Sequence, residues 1–306
     1  MSLLVVGSVA LDSVFTPFGE TADALGGSAV HFSVAASLLH PVQVVGVVGD
    51  DYPTHELDRL APRGIDWSGV ARVAGESFRW KGKYSYDLQS RETLETRLGV
   101  FADFRPVLPA GAEGAEFLFL GNIDPELQLD VLEQVKAPRV VACDTMNYWI
   151  QSKREALLAL LERVDLLMVN DSEARELSGD WNIHRAGRWI LERGPKRVVI
   201  KQGEYGALLI EPGHTFAVPA YPLEEVFDPT GAGDAFAGGF MGYLARSGGT
   251  DTPHLRRAMV YGATMGSYSV SGFDVKGFDG VSTEDVERRV RRFEDLTRIP
   301  TAEQIL

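Results

Sequence analysis

The sequence predicts an α/β fold in which helices wrap a central, mostly parallel β-sheet and a small β-sheet forms a lid. Three observations support this class. Short apolar segments alternate along the chain with segments of helical periodicity. Several apolar segments contain no polar alternation, as expected for strands that are covered on both faces. One strictly alternating segment, at 78–100, interrupts this order.

The strands and helices follow one another in the order that parallel sheets require. We predict strands at 3–6, 42–47, 117–120, 140–143, 166–169, 198–201 and 207–210. We predict helices between them at 31–39, 126–135, 153–161, 173–177 and 186–193. A last, charged helix is expected to begin at Ser282-Thr283-Glu284-Asp285, where Ser282 is a plausible N-cap. Strand, helix and strand in succession imply parallel pairing with helical crossovers.

The segment 78–100 has the pattern of a β-hairpin with one aromatic face. Phe78, Trp80, Tyr84 and Tyr86 alternate with polar residues, and 89–91 could turn. We expect segments 11–25 and 76–104 to form a small β-lid over a site. A hairpin that extends the main sheet and a dimer interface are the alternatives, and a lid can also mediate a homodimer. Without repeats or a long linker, residues 1–306 are expected to form one domain.

Composition limits the classes of function. The chain has 306 residues, 45% of them hydrophobic, and a net charge of −13. Nucleic acid is not an expected partner, because its binding gains from basic surfaces. A polyanion such as ATP would need local cations or Mg²⁺. The lone Cys143 suits a reducing compartment, and we expect no signal peptide, no membrane span and a cytoplasmic protein.

The most informative stretch is Asp228-Pro229-Thr230-Gly231-Ala232-Gly233-Asp234, followed by a small-residue helix at about 235–245. Its two glycines permit a sharp turn and close approach to a ligand. The amides at the start of a helix attract anions. Asp234 beside such a site is a candidate for catalysis, because a carboxylate repels phosphate unless it takes a proton or holds a metal. The alternative is a packed turn with Asp234 as N-cap. Neither a dinucleotide fingerprint nor a Walker loop is present.

Two early features could bind a polar substrate. Asp12 follows the first strand, at the end where α/β sheets bind ligands. It could accept hydrogen bonds from substrate hydroxyls, or it could be a turn or cap residue. Gly26-Gly27-Ser28 precedes the helix that contains His31. This turn could admit a ligand or merely turn the chain, and His31 could be catalytic or simply packed.

Further oxygen-bearing and glycine-rich turns follow later strands. Asn170 and Glu173 suit Mg²⁺ with phosphate, or alternatively a capping box, and Asp144 offers similar oxygens. The turn 201–206 suits nucleotide phosphates or a hairpin. Late in the chain a helix has a face of small residues, which could form a slot for adenine or a close helix contact: Ala258, Gly262, Ala263, Gly266 and Ser267.

Taken together, these motifs resemble the ribokinase-like (PfkB) carbohydrate kinase family, which includes nucleoside kinases. The run Asp228–Asp234 is similar to the family's second signature, and the order of the other motifs agrees along nearly the whole chain. The resemblance implies transfer of the γ-phosphate of ATP to a hydroxymethyl group of a sugar or nucleoside, with Mg²⁺. It also implies that Asp228 helps bind a monovalent cation such as K⁺ in relatives that use one.

The resemblance and the local patterns together yield the candidate residues. Those for catalysis are the general base Asp234 and the anion-hole residues Gly231, Ala232 and Gly233. Those for the acceptor are Asp12, Gly26, Gly27, Ser28, His31 and Trp80. Those for ATP are Asn170, Lys201, Gly203, Gly206, Thr230, Ala263, Gly266 and Ser267, and those for metals are Glu173, Asp144 and Asp228.

Some positions depart from the family pattern. His31 stands where the first signature usually has an asparagine that touches substrate, and 144–149 is not typical of ribokinases or fructokinases. The stretch 272–275 is nearer to nucleoside kinases. The acceptor therefore stays open between sugar and nucleoside. The functional alternative is a non-catalytic ligand-sensing or assembly protein that kept the fold, against which the presence of Asp234 argues.

Overall fold

The computed structural model describes residues 1–300. Its strands are β1 (Leu3–Val6), β2 (Ala10–Thr16), β3 (Gly19–Gly26), β4 (Val42–Val48), β5 (Ile65–Arg72), β6 (Phe78–Tyr84), β7 (Arg91–Arg97), β8 (Phe117–Leu120), β9 (Val140–Asp144), β10 (Leu166–Asn170), β11 (Arg197–Lys201), β12 (Ala207–Glu211) and β13 (His214–Val218). Its helices are α1 (Ser28–Ser37), α2 (Thr54–Leu60), α3 (Pro125–Leu132), α4 (Asn147–Ser152), α5 (Arg154–Leu161), α6 (Asp171–Ser178), α7 (Ile183–Leu191), α8 (Ala232–Ser247), α9 (Thr252–Ser269) and α10 (Thr283–Thr297).

Nine strands form the central sheet, in the order β13-β12-β11-β10-β9-β8-β1-β4-β5. All neighbouring pairs from β11 to β5 in this order are parallel, and only β11–β12 and β12–β13 are antiparallel. The central strands β1 and β8 are buried along their whole length, which explains their uninterrupted apolar sequence. The predicted α/β class with a mostly parallel sheet is confirmed.

Apolar clusters cover both faces of this sheet. Leu3 and Val5 point into the cluster that α1, α8, α9 and α10 share, whereas Leu4 and Val6 point into the cluster of α3, α5, α6 and α7. This alternation follows from the two-residue period of a strand. The sheet is therefore packed between helices on both faces. The loops at the carboxyl ends of its strands begin from this packed core.

The lid is a separate four-stranded sheet in the order β3-β2-β6-β7. The pairs β2–β3 and β6–β7 are antiparallel, and β2 pairs with β6 in parallel, with Asp12 opposite Trp80. The predicted small lid sheet is confirmed, and the alternative that the hairpin extends the main sheet is wrong. Tyr86 lies beyond the end of β6 and is 82% exposed, so the aromatic face is shorter than the sequence pattern suggested.

None of the helices within residues 1–300 has the length and apolar character needed to cross a membrane.

Candidate active site

The glycine-rich run forms the turn into α8. Gly231 is the N-cap, with a left-handed φ of 72° and no side-chain cap, so Asp234 lies in the first helical turn and is not the N-cap. A Cβ on Gly231 would lie 2.2 Å from the Cγ of His31. Glycine is thus required here both for the backbone angle and for the space. The amide of Ala232 donates to the carbonyl of Pro229 at 3.2 Å. The amide of Gly233 has no partner within the helix and is available to an anion.

Asp234 lies in a buried network of charges. Lys201 Nζ is 3.0 Å from Asp144 Oδ2, and it would be 2.9 Å from a Cβ on Gly233. Removal from water, and then the charge of Asp144, raise the pKa of Asp234 to about 7, against the opposing effect of Lys201. Burial acts to lower the pKa of Lys201, but the surrounding carboxylates outweigh it and raise that pKa. Asp234 can therefore exchange a proton near neutral pH.

Asn170 and Glu173 form a capping box at the start of α6. Asn170 Oδ1 accepts from the amide of Glu173, and Glu173 Oε2 accepts from the amide of Asn170, both at 2.8 Å. Glu173 is also part of the charged network, since burial and then Asp144 raise its pKa to about 7, and Lys201 lowers it. In residues 1–300, no three His, Cys, Asp or Glu side chains come together as a metal site.

Asp12 lies on the lid side of the same network. Its carboxylate is 7% exposed and packs against Gly26, where a Cβ would be 2.1 Å from Oδ2. Burial raises its pKa to about 7; the Gly27 amide opposes this effect, and the charges of Asp228 and Asp234 add to it. Trp80 lies opposite Asp12 in the strand register, so the predicted acceptor residues Asp12, Gly26, Gly27 and Trp80 lie close together.

His31 and Ser28 occupy the first two turns of α1. His31 is 2% exposed, its ring packs on Gly231, and neither ring nitrogen has a hydrogen-bond partner within residues 1–300. Burial lowers the pKa of His31 to about 4, so the ring is neutral at physiological pH. Ser28 instead joins α1 to the end of β1, because its amide donates to Ser8 Oγ at 3.0 Å.

The lid contacts the glycine-rich run directly. The hydroxyl of Thr230 donates to the hydroxyl of Tyr84 at 3.2 Å, and Tyr84 is 8% exposed. The guanidinium of Arg91, on β7, lies 5.2 Å from the centre of the Trp80 ring. Its charge acts against the burial that raises the pKa values of Asp12, Glu173 and Asp234. The lid thus brings a cation to an acidic site.

Sequence reasoning missed this role of Arg91 and placed it in the turn of the hairpin. The excess of negative charge in the site was the signal that could have pointed to Arg91. Its five carboxylates require cations before a polyanion can bind. Those carboxylates are Asp12, Asp144, Glu173, Asp228 and Asp234.

Further residues predicted to approach ATP lie in the turn between β11 and β12 and on α9. Gly203 begins a single 3₁₀ turn, Gly203–Tyr205, that joins β11 to β12, and Gln89 of the lid tip reaches it. Gly206 follows with φ 92°. On α9, Gly266 lies near the carbonyl of Ala232, whereas Ser267 accepts from Arg289 of α10 at 2.9 Å and so belongs to helix packing.

Asp228 is 1% exposed and accepts from the amide of Thr230 at 2.9 Å. Burial first, and then the charge of Asp274, raise its pKa. Asp274 is itself buried and has a positive φ of 52°. The residue predicted to help bind a monovalent cation therefore lies near a second buried carboxylate.

The raised pKa of Asp12 leads to a prediction about stability. An aspartate in the unfolded chain has a pKa of about 4. Below that pH Asp12 is protonated and its contribution to the stability of the folded state is complete. This contribution is lost as pH rises through about 7, the pKa of Asp12 in the folded protein. We expect Asp12→Asn to raise the melting temperature relative to wild type more at pH 8 than at pH 5, by at least about 2 °C.

Melting of the substrate-free proteins would be followed by calorimetry. The exposed Asp58 offers the matched control Asp58→Asn, for which the difference from wild type should not vary between these pH values. A pH-independent difference for Asp12→Asn would contradict the prediction.

Several known proteins resemble this chain in sequence or in fold. The profile of the pfkB family carbohydrate kinases matches residues 13–275. A cytidine kinase of Thermococcus kodakarensis is 31% identical over 252 residues, which cover 80% of this chain and 89% of the relative. A deoxyribokinase of Salmonella typhi is 25% identical over 293 residues, with 89% and 93% covered.

A crystal structure of an Escherichia coli protein, named provisionally as a ribokinase II and in complex with ATP and Mg²⁺, superposes with a TM-score of 0.77. It is 21% identical and covers 95% of this chain and 99% of its own, so it shows the shared fold. The family match over residues 13–275 and the 31% identity to the cytidine kinase show the family as well as the fold. The chain belongs to the pfkB family of carbohydrate kinases, and it is a phosphotransferase that acts on an alcohol group.

Proposed function

We propose that this kinase transfers the γ-phosphate of ATP to a hydroxymethyl group of a nucleoside, with Asp234 as general base. The observation that carries this proposal is the position of Asp234 in the first turn of α8, next to the amide of Gly233. An acceptor hydroxyl at that point would face a base on one side and an anion site on the other. The pKa of about 7 suits a base at neutral pH.

The remaining charges support phosphoryl transfer at the same point. Lys201 and Arg91 place positive charge around Asp234, and the amide of Gly233 can donate to a transferring oxygen. Fixed donors of this kind stabilise the charge that develops on a phosphoryl group. The lid would exclude water from the site, which prevents hydrolysis of ATP.

The oxygen groups of the site suit Mg²⁺ bound together with phosphate. Mg²⁺ commonly keeps several waters and takes only one or two carboxylates from the protein. Asp144 and Glu173 are buried carboxylates whose charges act on Lys201. They would hold the ion, and the ion would neutralise charge on the phosphates. Asp228 would help bind a monovalent cation such as K⁺, whereas the neighbouring Asp274 is already paired with Lys276 at 3.1 Å.

Two observations favour a nucleoside as the acceptor over a free sugar. The cytidine kinase is the more similar of the two relatives described above. Trp80 is half-buried and pairs with Asp12 in the strand register, so an acceptor whose hydroxyls contact Asp12 could stack its base on this side chain.

We also propose that residues 1–306 act as one kinase domain and that the lid mediates a homodimer, because β7 is an exposed edge strand.

The test is an assay of the purified protein with ATP and Mg²⁺ against a panel of nucleosides and sugars, with ADP formation and product mass as readouts. Cytidine, inosine, ribose and 2-deoxyribose would be the first acceptors. We expect the highest kcat/KM with a nucleoside and phosphate on its 5′ oxygen. A clear preference for a free sugar would overturn the nucleoside assignment, and no acceptor-dependent turnover would overturn the proposed chemistry.

Trp80 allows a sharper prediction about the acceptor. Stacking of a base on an aromatic ring contributes about 1–3 kcal/mol. We therefore expect Trp80→Ala to raise the KM for a nucleoside about 5- to 100-fold, while the KM for ATP stays within about twofold. Tyr86→Ala is the matched control, because Tyr86 is an exposed aromatic residue of the same lid. An unchanged nucleoside KM, with an unchanged oligomer in sedimentation, would show that the Trp80 ring only packs.

A further inference from the structure

Phe273 lies on the loop that follows α9, and its side chain contacts the far end of the lid hairpin formed by β2 and β3. A Cβ on Gly19, at the start of β3, would lie only 3.0 Å from Cε2 of Phe273 and 3.1 Å from its Cζ. The edge of the aromatic ring therefore rests on the backbone of the hairpin tip, residues 17–19. This contact joins the lid to the part of the kinase that is built on the central sheet.

The loop that carries Phe273 is anchored in the protein core. Val275 and Phe278, which follow it, are 1% and 0% exposed and belong to the apolar cluster that α1, α8, α9 and α10 share. The carbonyl of Val270, just before the loop, accepts from the amide of Phe227 at 2.9 Å, and Phe227 leads directly into the glycine-rich run. Phe273 is therefore held at a defined place beside the candidate active site.

The hairpin that rests on Phe273 bends next to Asp12. Its register shifts by one residue immediately beyond Asp12, between the pair Asp12–Ala24 and the next pair, Val14–Thr21. A bulge of this kind bends the strand that carries the extra residue. The part of the hairpin beyond the bulge, residues 14–21, is called the outer arm below. It is held at one end by the bulge beside Asp12 and contacts the ring on α9's loop at the other.

The tip of the outer arm projects beyond the lid sheet. β6 pairs with β2 only as far as Phe15. The residues at 17–20 are exposed to solvent, and Phe18 is 50% exposed. An exposed turn with few packed neighbours opens at a low free-energy cost. The contact with Phe273 therefore limits the motion of a segment that the lid sheet itself does not support.

We propose that Phe273 is a positioning residue for the acceptor, which holds the outer arm closed and so keeps Asp12 where it binds an acceptor hydroxyl. This inference rests on the proposed function, in which Asp12 contacts the acceptor. Phe273 acts through the hairpin and touches neither the acceptor nor ATP. A binding-competent arrangement that is already populated before the acceptor arrives does not reduce the apparent affinity, whereas a mobile arm would reduce it.

Hydrogen exchange of the substrate-free protein tests the contact without an assay of activity. We expect the amides of the outer arm to exchange at least about threefold faster in Phe273→Ala than in wild type, because local opening costs less once the contact is lost. The amides of the buried strands β1 and β8 should exchange as in wild type. Phe273→Leu keeps an apolar side chain against Gly19 and should restore most of the protection.

Steady-state kinetics tests the role in acceptor binding, with whichever of cytidine, inosine and ribose is the best acceptor. Phe273→Ala should raise the KM for the acceptor about three- to thirtyfold, while kcat and the KM for ATP stay within about twofold of wild type. Phe273→Leu should stay within about threefold of wild type in all three values. Phe18→Ala is the matched control, because Phe18 is an exposed aromatic residue of the same tip whose ring lies 6.3 Å from that of Tyr86. It should leave the KM for the acceptor unchanged.

The assignment of Phe273 would be overturned by unchanged exchange of the outer arm, by an unchanged KM for the acceptor, or by equal rises in both KM values. A leucine variant as defective as the alanine variant would also contradict it. Failure of the proposed function gives a different result, because wild type would then turn over none of the acceptors. The role in acceptor binding would fall with it, whereas the exchange rates would still show whether the ring holds the arm.

Discussion

Asp234→Asn is expected to lower kcat by about 10²–10⁴-fold, the usual contribution of general base catalysis. The substitution keeps the shape of the side chain and removes its ability to take a proton. Because Gly231 rather than Asp234 caps α8, the helix should remain intact. The KM for ATP should change by less than about threefold, since the amides and Lys201 that surround the phosphate site are unaltered.

Steady-state kinetics on the best acceptor of the panel, with circular dichroism as a folding check, would measure this effect. Asp130→Asn, at an exposed position of α3, is the matched control and should have wild-type kcat. Turnover of Asp234→Asn within about threefold of wild type would remove Asp234 from the role of base.

The parts of the fold that the sequence predicted correctly are those where burial leaves a local pattern. β1, β8 and β10 are covered on both faces and appear as apolar runs. The strands that were missed, β5 and β13, are the two edge strands of the sheet and are partly exposed, so no such run marks them. The missed helices α2 and α4 have only 7 and 6 residues, too few for a clear period.

The candidate site also has one part that a local sequence pattern predicts and another part that depends on tertiary structure. The residues from Gly231 to Asp234 are contiguous, so their motif alone was enough to predict an anion site beside a carboxylate. The contact between Thr230 and Tyr84 joins positions 146 residues apart, and it depends on how the lid sheet is placed over the main sheet. The position of Arg91 depends on the same tertiary arrangement, which no local pattern encodes.

Lys201 is the buried cation on which the acidic site depends for stability. Its side chain is 15% exposed and forms an ion pair with Asp144, which is 8% exposed. The charges of Glu173 and Asp234 also act on it. A buried ion pair does not by itself imply a large net stabilisation, but removing one partner leaves an uncompensated buried charge, which typically costs about 3–5 kcal/mol. In this site, removal of the single lysine would leave three carboxylates without it.

Lys201→Met should therefore lower the free energy of unfolding by about 3–5 kcal/mol at pH 8, measured by urea denaturation of the substrate-free protein. Lys196→Met is the matched control: Lys196 is 71% exposed and pairs with Asp165, so its loss should cost less than about 1 kcal/mol. The pKa values of Glu173 and Asp234 are near 7 even with the lysine present. Both carboxyl groups bind protons as pH falls, so the effect of Lys201→Met should be smaller at pH 5 than at pH 8. An equal loss at both pH values would contradict this electrostatic account and would point to lost packing of the lysine side chain.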